Sequence, residues 1–146
     1  MDTIREQIIQ DLVESLKGGT FTTLAGVTVW RGQLLFQEQI ETLPVIVVFV
    51  ASEEAATNEY GGSNCSMAVG LTALIAIGAA DPSVLGESVL GELITAALRV
   101  RPEHATHMDY TGSDITIPDE LGQKVLAVGI TVSVNYRFNF GDPYTR

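Results

Sequence analysis

The chain has 146 residues, 8 Lys+Arg against 18 Asp+Glu and a formal charge of −10, enough length for one domain with one real core. That charge excludes a general nucleic-acid binder and a protein that docks on anionic membrane, because both need clustered cations. With 46% hydrophobic and 18% charged residues the chain is too apolar to be disordered, and its longest apolar runs, around 44–51 and 68–80, are too short to span a bilayer as helices.

Thr3-Ile4-Arg5-Glu6 reads as a capping box, and Ile4, Ile8, Leu12 and Leu16 recur every fourth residue with Ile9 and Val13 beside them. A helix is predicted over Ile4–Lys17, stopped at Gly18-Gly19 by a left-handed glycine cap. Val27–Trp30 reads as a short strand, with Arg31-Gly32 turning the chain. Leu43–Val50 is apolar on both alternating faces, the pattern of a strand covered on both sides. Residues 53–64 are polar and predict a hairpin arm, with Gly61-Gly62-Ser63-Asn64 as its loop or turn. Ser66–Ile77 alternates larger residues with small ones.

Asp81-Pro82 opens a second helix as N-cap and first helical residue; its stripe is Val84, Leu85, Val89, Leu93, Ile94, Ala97 and Leu98, and Pro102 ends it. Residues 103–124 are mixed and turn-rich, with a short strand at about Asp114–Ile117. Leu126–Asn139 alternates strictly, Leu126, Val128, Ile130, Val132, Val134, Tyr136 and Phe138 sharing one face. Helix, strands, helix, strands in one domain spanning 1–146 predicts an α+β fold: a mostly antiparallel sheet with two main helices packed on one face.

Chemistry-bearing motifs are sparse. His104 and His107, with Asp109, are the one His-carboxylate grouping, and they read as solvated loop residues rather than a metal site. Cys65 as a nucleophile needs a base, His104 or His107; the simpler reading is a small buried thiol at a strand edge. Gly61-Gly62 precedes no lysine or helix start and is not a phosphate loop. No catalytic residue, cofactor or metal is expected. One cysteine and the lack of an apolar leader core after Met1 make a reducing cytosolic compartment the expectation.

Three features read as interaction surface: the aromatic end Phe138, Phe140 and Tyr144; the arm 53–64, with Glu59 and Tyr60; and Trp30-Arg31. Phe138 also reads as core, and Arg31 also as half of an ordinary surface ion pair.

Taken in order, Trp30-Arg31-Gly32, Leu43-Pro44-Val45-Ile46-Val47 and Tyr136-Arg137-Phe138-Asn139-Phe140-Gly141-Asp142-Pro143-Tyr144 resemble the tail terminator (tail completion, neck) proteins of long-tailed bacteriophages. The resemblance covers most of the chain but not 103–124. It implies a structural, non-enzymatic virion protein in the neck region of the tail, assembled in the host cytoplasm. Its partners would be copies of itself in a homohexameric ring, the tail tube protein and the head–tail connector, with DNA passing through unbound and no membrane contact. With the surface readings of the arm and of Trp30-Arg31, it makes Trp30, Arg31, Glu59, Tyr60, Arg137, Phe140, Asp142, Pro143 and Tyr144 the candidate interface residues. The charge of −10 suits a lumen that repels phosphate. A head–tail connector or adaptor, a tail tube ring protein and, further off, a small cytosolic enzyme or ligand-binding domain are the alternatives at this point.

Overall fold

The computed structural model describes residues 3–32, 43–57, 62–78, 81–99, 102–117 and 125–139. Helix α1 (Ile4–Lys17) begins as the capping box requires: Thr3 Oγ1 accepts from the Glu6 N–H at 3.1 Å. Its Ile4, Ile8, Leu12 and Leu16 are buried almost completely. Its end differs from expectation. Gly18 has φ −83, so no left-handed cap forms. The Gly18 and Gly19 N–H groups bond Glu14 O and Leu16 O at 3.0 and 3.2 Å, and Arg99, just past the end of the second helix, donates to Ser15 O at 3.0 Å and to Gly18 O at 3.4 Å. Gly19 serves a close approach, since a Cβ there would lie 3.0 Å from the Phe21 ring.

Strand β1 (Thr28–Arg31) lies parallel to β2 (Val45–Thr57) and is shifted one residue from its predicted bounds. Gly32 then takes φ +114, a conformation open to glycine, and turns the chain. β2 pairs antiparallel with β3 (Gly62–Ala76) out to Thr57↔Ser63. Gly62, Ser63 and Asn64, expected in a turn, are therefore strand residues, and β2 runs seven residues past the Val50 at which the apolar run ends. Polarity ended the predicted strand early. Residues 51–55 are exposed, so their polar side chains say nothing against extended backbone.

Helix α2 (Pro82–Leu98) opens on Asp81, whose Oδ1 accepts from the Ser83 N–H at 2.9 Å. Strand β4 (Ala105–Thr116) extends the expected short strand back to Ala105 and takes in His107, while His104 stays in the turn before it. Register slips between Ala105 and His107 and between Tyr110 and Gly112 each leave one threonine, Thr106 and Thr111, unopposed. Each donates its hydroxyl to β5, Thr106 to Asn135 O at 3.0 Å and Thr111 to Thr131 O at 3.1 Å. Two bulges within twelve residues break the two-residue period, which is why β4 is hard to read from the sequence. Strand β5 (Val125–Asn139) is close to its predicted span.

The sheet order is β1-β2-β3-β5-β4, with one parallel pair at the β1 edge. Both helices pack on one face, over Ile46, Val48, Met67, Val69, Leu71, Val128, Ile130, Val132 and Val134, as the α+β reading expects. The opposite face divides in two. At one end Val45, Leu74, Val125 and Ala127 form a small second cluster with Trp30 and Leu43. Toward the other end it presents Ser66, Ala68, Thr131, Ser133 and Asn135.

Candidate assembly surfaces

Trp30 and Arg31 occupy the edge strand but face opposite ways, as neighbours on a strand must. Trp30 is half-buried against the second cluster, and its indole N–H is buried without a hydrogen-bond partner. Arg31 turns to the helix face, where both its terminal nitrogens donate to the two carboxylate oxygens of Glu6. Glu6 also accepts from Gln10 Nε2 at 3.1 Å. The hydrogen bonds from Arg31 come first in lowering the Glu6 carboxyl below its usual pKa, followed on that side by Gln10 and the charge of Arg31, against a smaller upward push from burial. Arg31 thus carries the intrachain ion pair that the sequence left open as one of two readings.

Arg137 stands exposed on the opposite face, across from Asn64 of β3. Two strands, β2 and β3, separate β5 from β1, so Arg137 lies far from Trp30 on their shared face, and Arg31 is on the other face. Glu59, Tyr60, Phe140, Asp142, Pro143 and Tyr144 lie outside the described residues. Phe138 is partly buried against the main core and stacks on Tyr136 with ring centroids 6.4 Å apart.

The root of the β2–β3 hairpin holds a network that the sequence does not announce. Between Val50↔Val69 and Ser52↔Ala68 the β2 register slips by one residue, leaving Ala51 unopposed. Without that slip Glu53 would face away from the helices. With it Glu53 joins the helix face, accepting from Tyr136 Oη at 2.6 Å and pairing with Arg5 Nε at 3.2 Å. One carboxylate thereby ties α1, the hairpin and β5 together. Burial, then the hydrogen bond to anionic Glu53, pushes the Tyr136 hydroxyl far above its ordinary value.

Cys65 lies in the interior of β3, not at an edge, and is 3% exposed. Burial drives its thiol pKa up, opposite to what a nucleophile needs. Its polar neighbours in that shift are Tyr136 and Glu53 rather than a histidine. His107 is a strand residue bonded to Asp109 at 2.6 Å, and His104 Nδ1 is buried without a partner. Among the described residues no group of three or more His, Cys, Asp or Glu is placed to hold a metal ion. No described helix is long and apolar enough to cross a membrane.

No family model matches the chain, and no curated protein matches it. Among solved structures it is similar to a chain of the virion of the native gene transfer agent (GTA) particle, with a TM-score of 0.46, 10% identity and 92% of each chain covered.

Proposed function

We propose that this chain is a structural virion protein of a phage or phage-like particle, a subunit of a hexameric ring that caps the head-proximal end of the tail tube. The ring would end tube polymerisation and present a face to the head–tail connector, without covalent chemistry. The observation that carries the reading is how the segments quoted for the resemblance sit in the fold. Trp30-Arg31-Gly32 ends the edge strand, and Leu43-Pro44 leads into β2. A β2–β3 hairpin follows, then α2, and Tyr136–Asn139 finishes β5 on its way to Gly141-Asp142-Pro143-Tyr144. Each short motif includes or adjoins one end of a strand.

The charge agrees with this role. Five of the eight Lys and Arg side chains of the sequence are described: Arg5, Lys17, Arg31, Arg99 and Arg137. Of these, Arg5, Lys17 and Arg31 are paired with carboxylates and Arg99 with helix-end carbonyls. A ring of such subunits would let DNA pass without a basic track to hold it.

Deleting the gene and imaging lysates by electron microscopy tests the reading. Filled heads beside unattached tails of excessive or irregular length are expected. Tails of normal length with unjoined heads would move the protein to the connector. Intact virions would remove it from assembly.

A further inference from the structure

Among the described residues, two runs of backbone at opposite edges of the sheet lack partners. β1 stops at Arg31, and the Gly32 N–H donating to Val48 O at 2.9 Å is its last rung, whereas β2 continues to Thr57. Since Val48 turns its backbone groups toward β1, strand alternation and the slip at Ala51 turn those of Val50, Glu53 and Ala55 the same way. No hydrogen bond from the described residues reaches them. Carrying the alternation across β3 and β5, the groups of Tyr110, Ser113 and Ile115 point outward from β4 at the other edge.

We propose that copies of this chain join edge to edge, the β2 edge beyond Gly32 pairing antiparallel with the β4 edge of the next copy. The strand senses fit. β2 and β4 run in opposite directions, so two copies laid side by side with their helices on the same face bring them together antiparallel. The bulges at Thr106 and Thr111 leave Gly112–Thr116 as the regular run of β4, and that run is the part that pairs.

The side chains fit as well. On the helix face of β4, Tyr110 and Ile115 are 39% and 38% exposed, and Ile117, just past the strand end, is 51% exposed. On the same face beside the β2 edge lies a cleft of about 480 Å³ floored by Ile9, Val48 and Val50, with Arg5 and Arg31 at its rim. The apolar flank of one copy covers the cleft of the next. Charge adds little to the fit, since the guanidinium groups of Arg5 and Arg31 at the cleft are already paired with Glu53 and Glu6. Exposed Glu54 excludes the register that would set it opposite Asp114.

Because the two edges differ, the contact is head-to-tail and closes a ring when its rotation closes. The inference rests on the ring reading for closure, and not for the pairing itself. Ala55→Pro and Ser113→Pro test it. Each removes one outward N–H that no bond from the described residues uses, so each variant is expected to melt within a few degrees of the wild type.

By native mass spectrometry up to millimolar concentration, the wild type is expected to form closed oligomers and each variant alone to stay monomeric. A mixture of the two variants keeps one intact β2 edge and one intact β4 edge, so it is expected to stop at the heterodimer. Wild-type hydrogen exchange adds a readout that does not depend on the variants. On assembly the amides of Val50, Glu53, Ala55, Ser113 and Ile115 are expected to slow by at least about tenfold. A wild type that stays monomeric, variants that still assemble, or oligomers with unprotected edge amides would overturn the pairing. The tail-capping reading would then still stand or fall by the deletion phenotype.

Discussion

Gly70 is the position where the structure makes its sharpest quantitative demand. A Cβ built there would lie 2.3 Å from Phe49 Cζ and 2.7 and 2.8 Å from the two Cε atoms, because the ring of the cross-strand partner Phe49 lies over the glycine. No substitution fits under that ring unless it swings away. Gly70 has no positive φ, so alanine is free to adopt the backbone. In a strand, alanine should even be favoured, by roughly 0.5–1 kcal/mol, since glycine loses more conformational entropy on folding.

Gly70→Ala is therefore expected to cost up to about 2.5 kcal/mol, the ~1–3 kcal/mol of overpacking against the half-buried Phe49 ring less that entropic gain. Phe49→Ala removes the obstacle, and in that background Gly70→Ala is expected to be neutral or stabilising by about 0.5 kcal/mol. The double-mutant cycle should thus show a coupling of about 1–3 kcal/mol, with the double variant more stable than the single effects add up to. Urea denaturation of the four proteins, with equal m-values as the check on two-state behaviour, measures it. Additive effects within ~0.5 kcal/mol would refute the placement of Phe49 over Gly70.

Three further expectations follow from named groups. Glu6 is held below its ordinary pKa by Arg31, so its contribution is present above the unfolded value of 4.5 and lost as pH falls through the lower folded value. Glu6→Gln should then cost about 0.5–1 kcal/mol at neutral pH and nothing at pH ~2 in paired denaturation curves; an equal cost at both pH values would exclude the ion pair as the cause. Tyr136, pushed up by burial and Glu53, stabilises the fold fully below its ordinary value of 10.0 and progressively less above it. Tyr136→Phe should lower stability by about 1.5–3 kcal/mol at neutral pH and reduce the alkaline loss, and an unchanged alkaline limb would assign that loss elsewhere. The Cys65 thiol, buried and raised in pKa, should react with a thiol reagent such as DTNB only at the rate of opening, at least about a hundredfold slower than in urea; prompt native labelling would contradict its burial.

The local signals in this sequence were reliable where one face of an element decides its shape. The four-residue stripe of α1, the Asp81-Pro82 start of α2 and the strict alternation of β5 each report an element pressed against a single core, so period and cap suffice. The same signals bounded the α+β class, with two helices to one side of the sheet. They failed where a residue is exposed or a strand is bulged. The run of β2 through Glu53 and Glu54 is legible only as a polar hairpin arm, because solvent tolerates any backbone beneath a charged side chain, and β4 is legible only at its last residues because two extra threonines reset its phase.

For the assembly surfaces, sequence supplied candidates and tertiary structure supplied their partners. The Trp30-Arg31 dipeptide was legible as unusual, but only the packing of α1 beside β1 brings Glu6 to Arg31 and turns the two side chains to opposite faces. Arg5, Glu53 and Tyr136 carry no joint signature at all, since their meeting depends on one unopposed residue, Ala51, that re-aims everything after it. The open edges are a property of topology alone. Which strand is last in a sheet, and how far its neighbour outruns it, is settled by long-range pairing that no local pattern encodes.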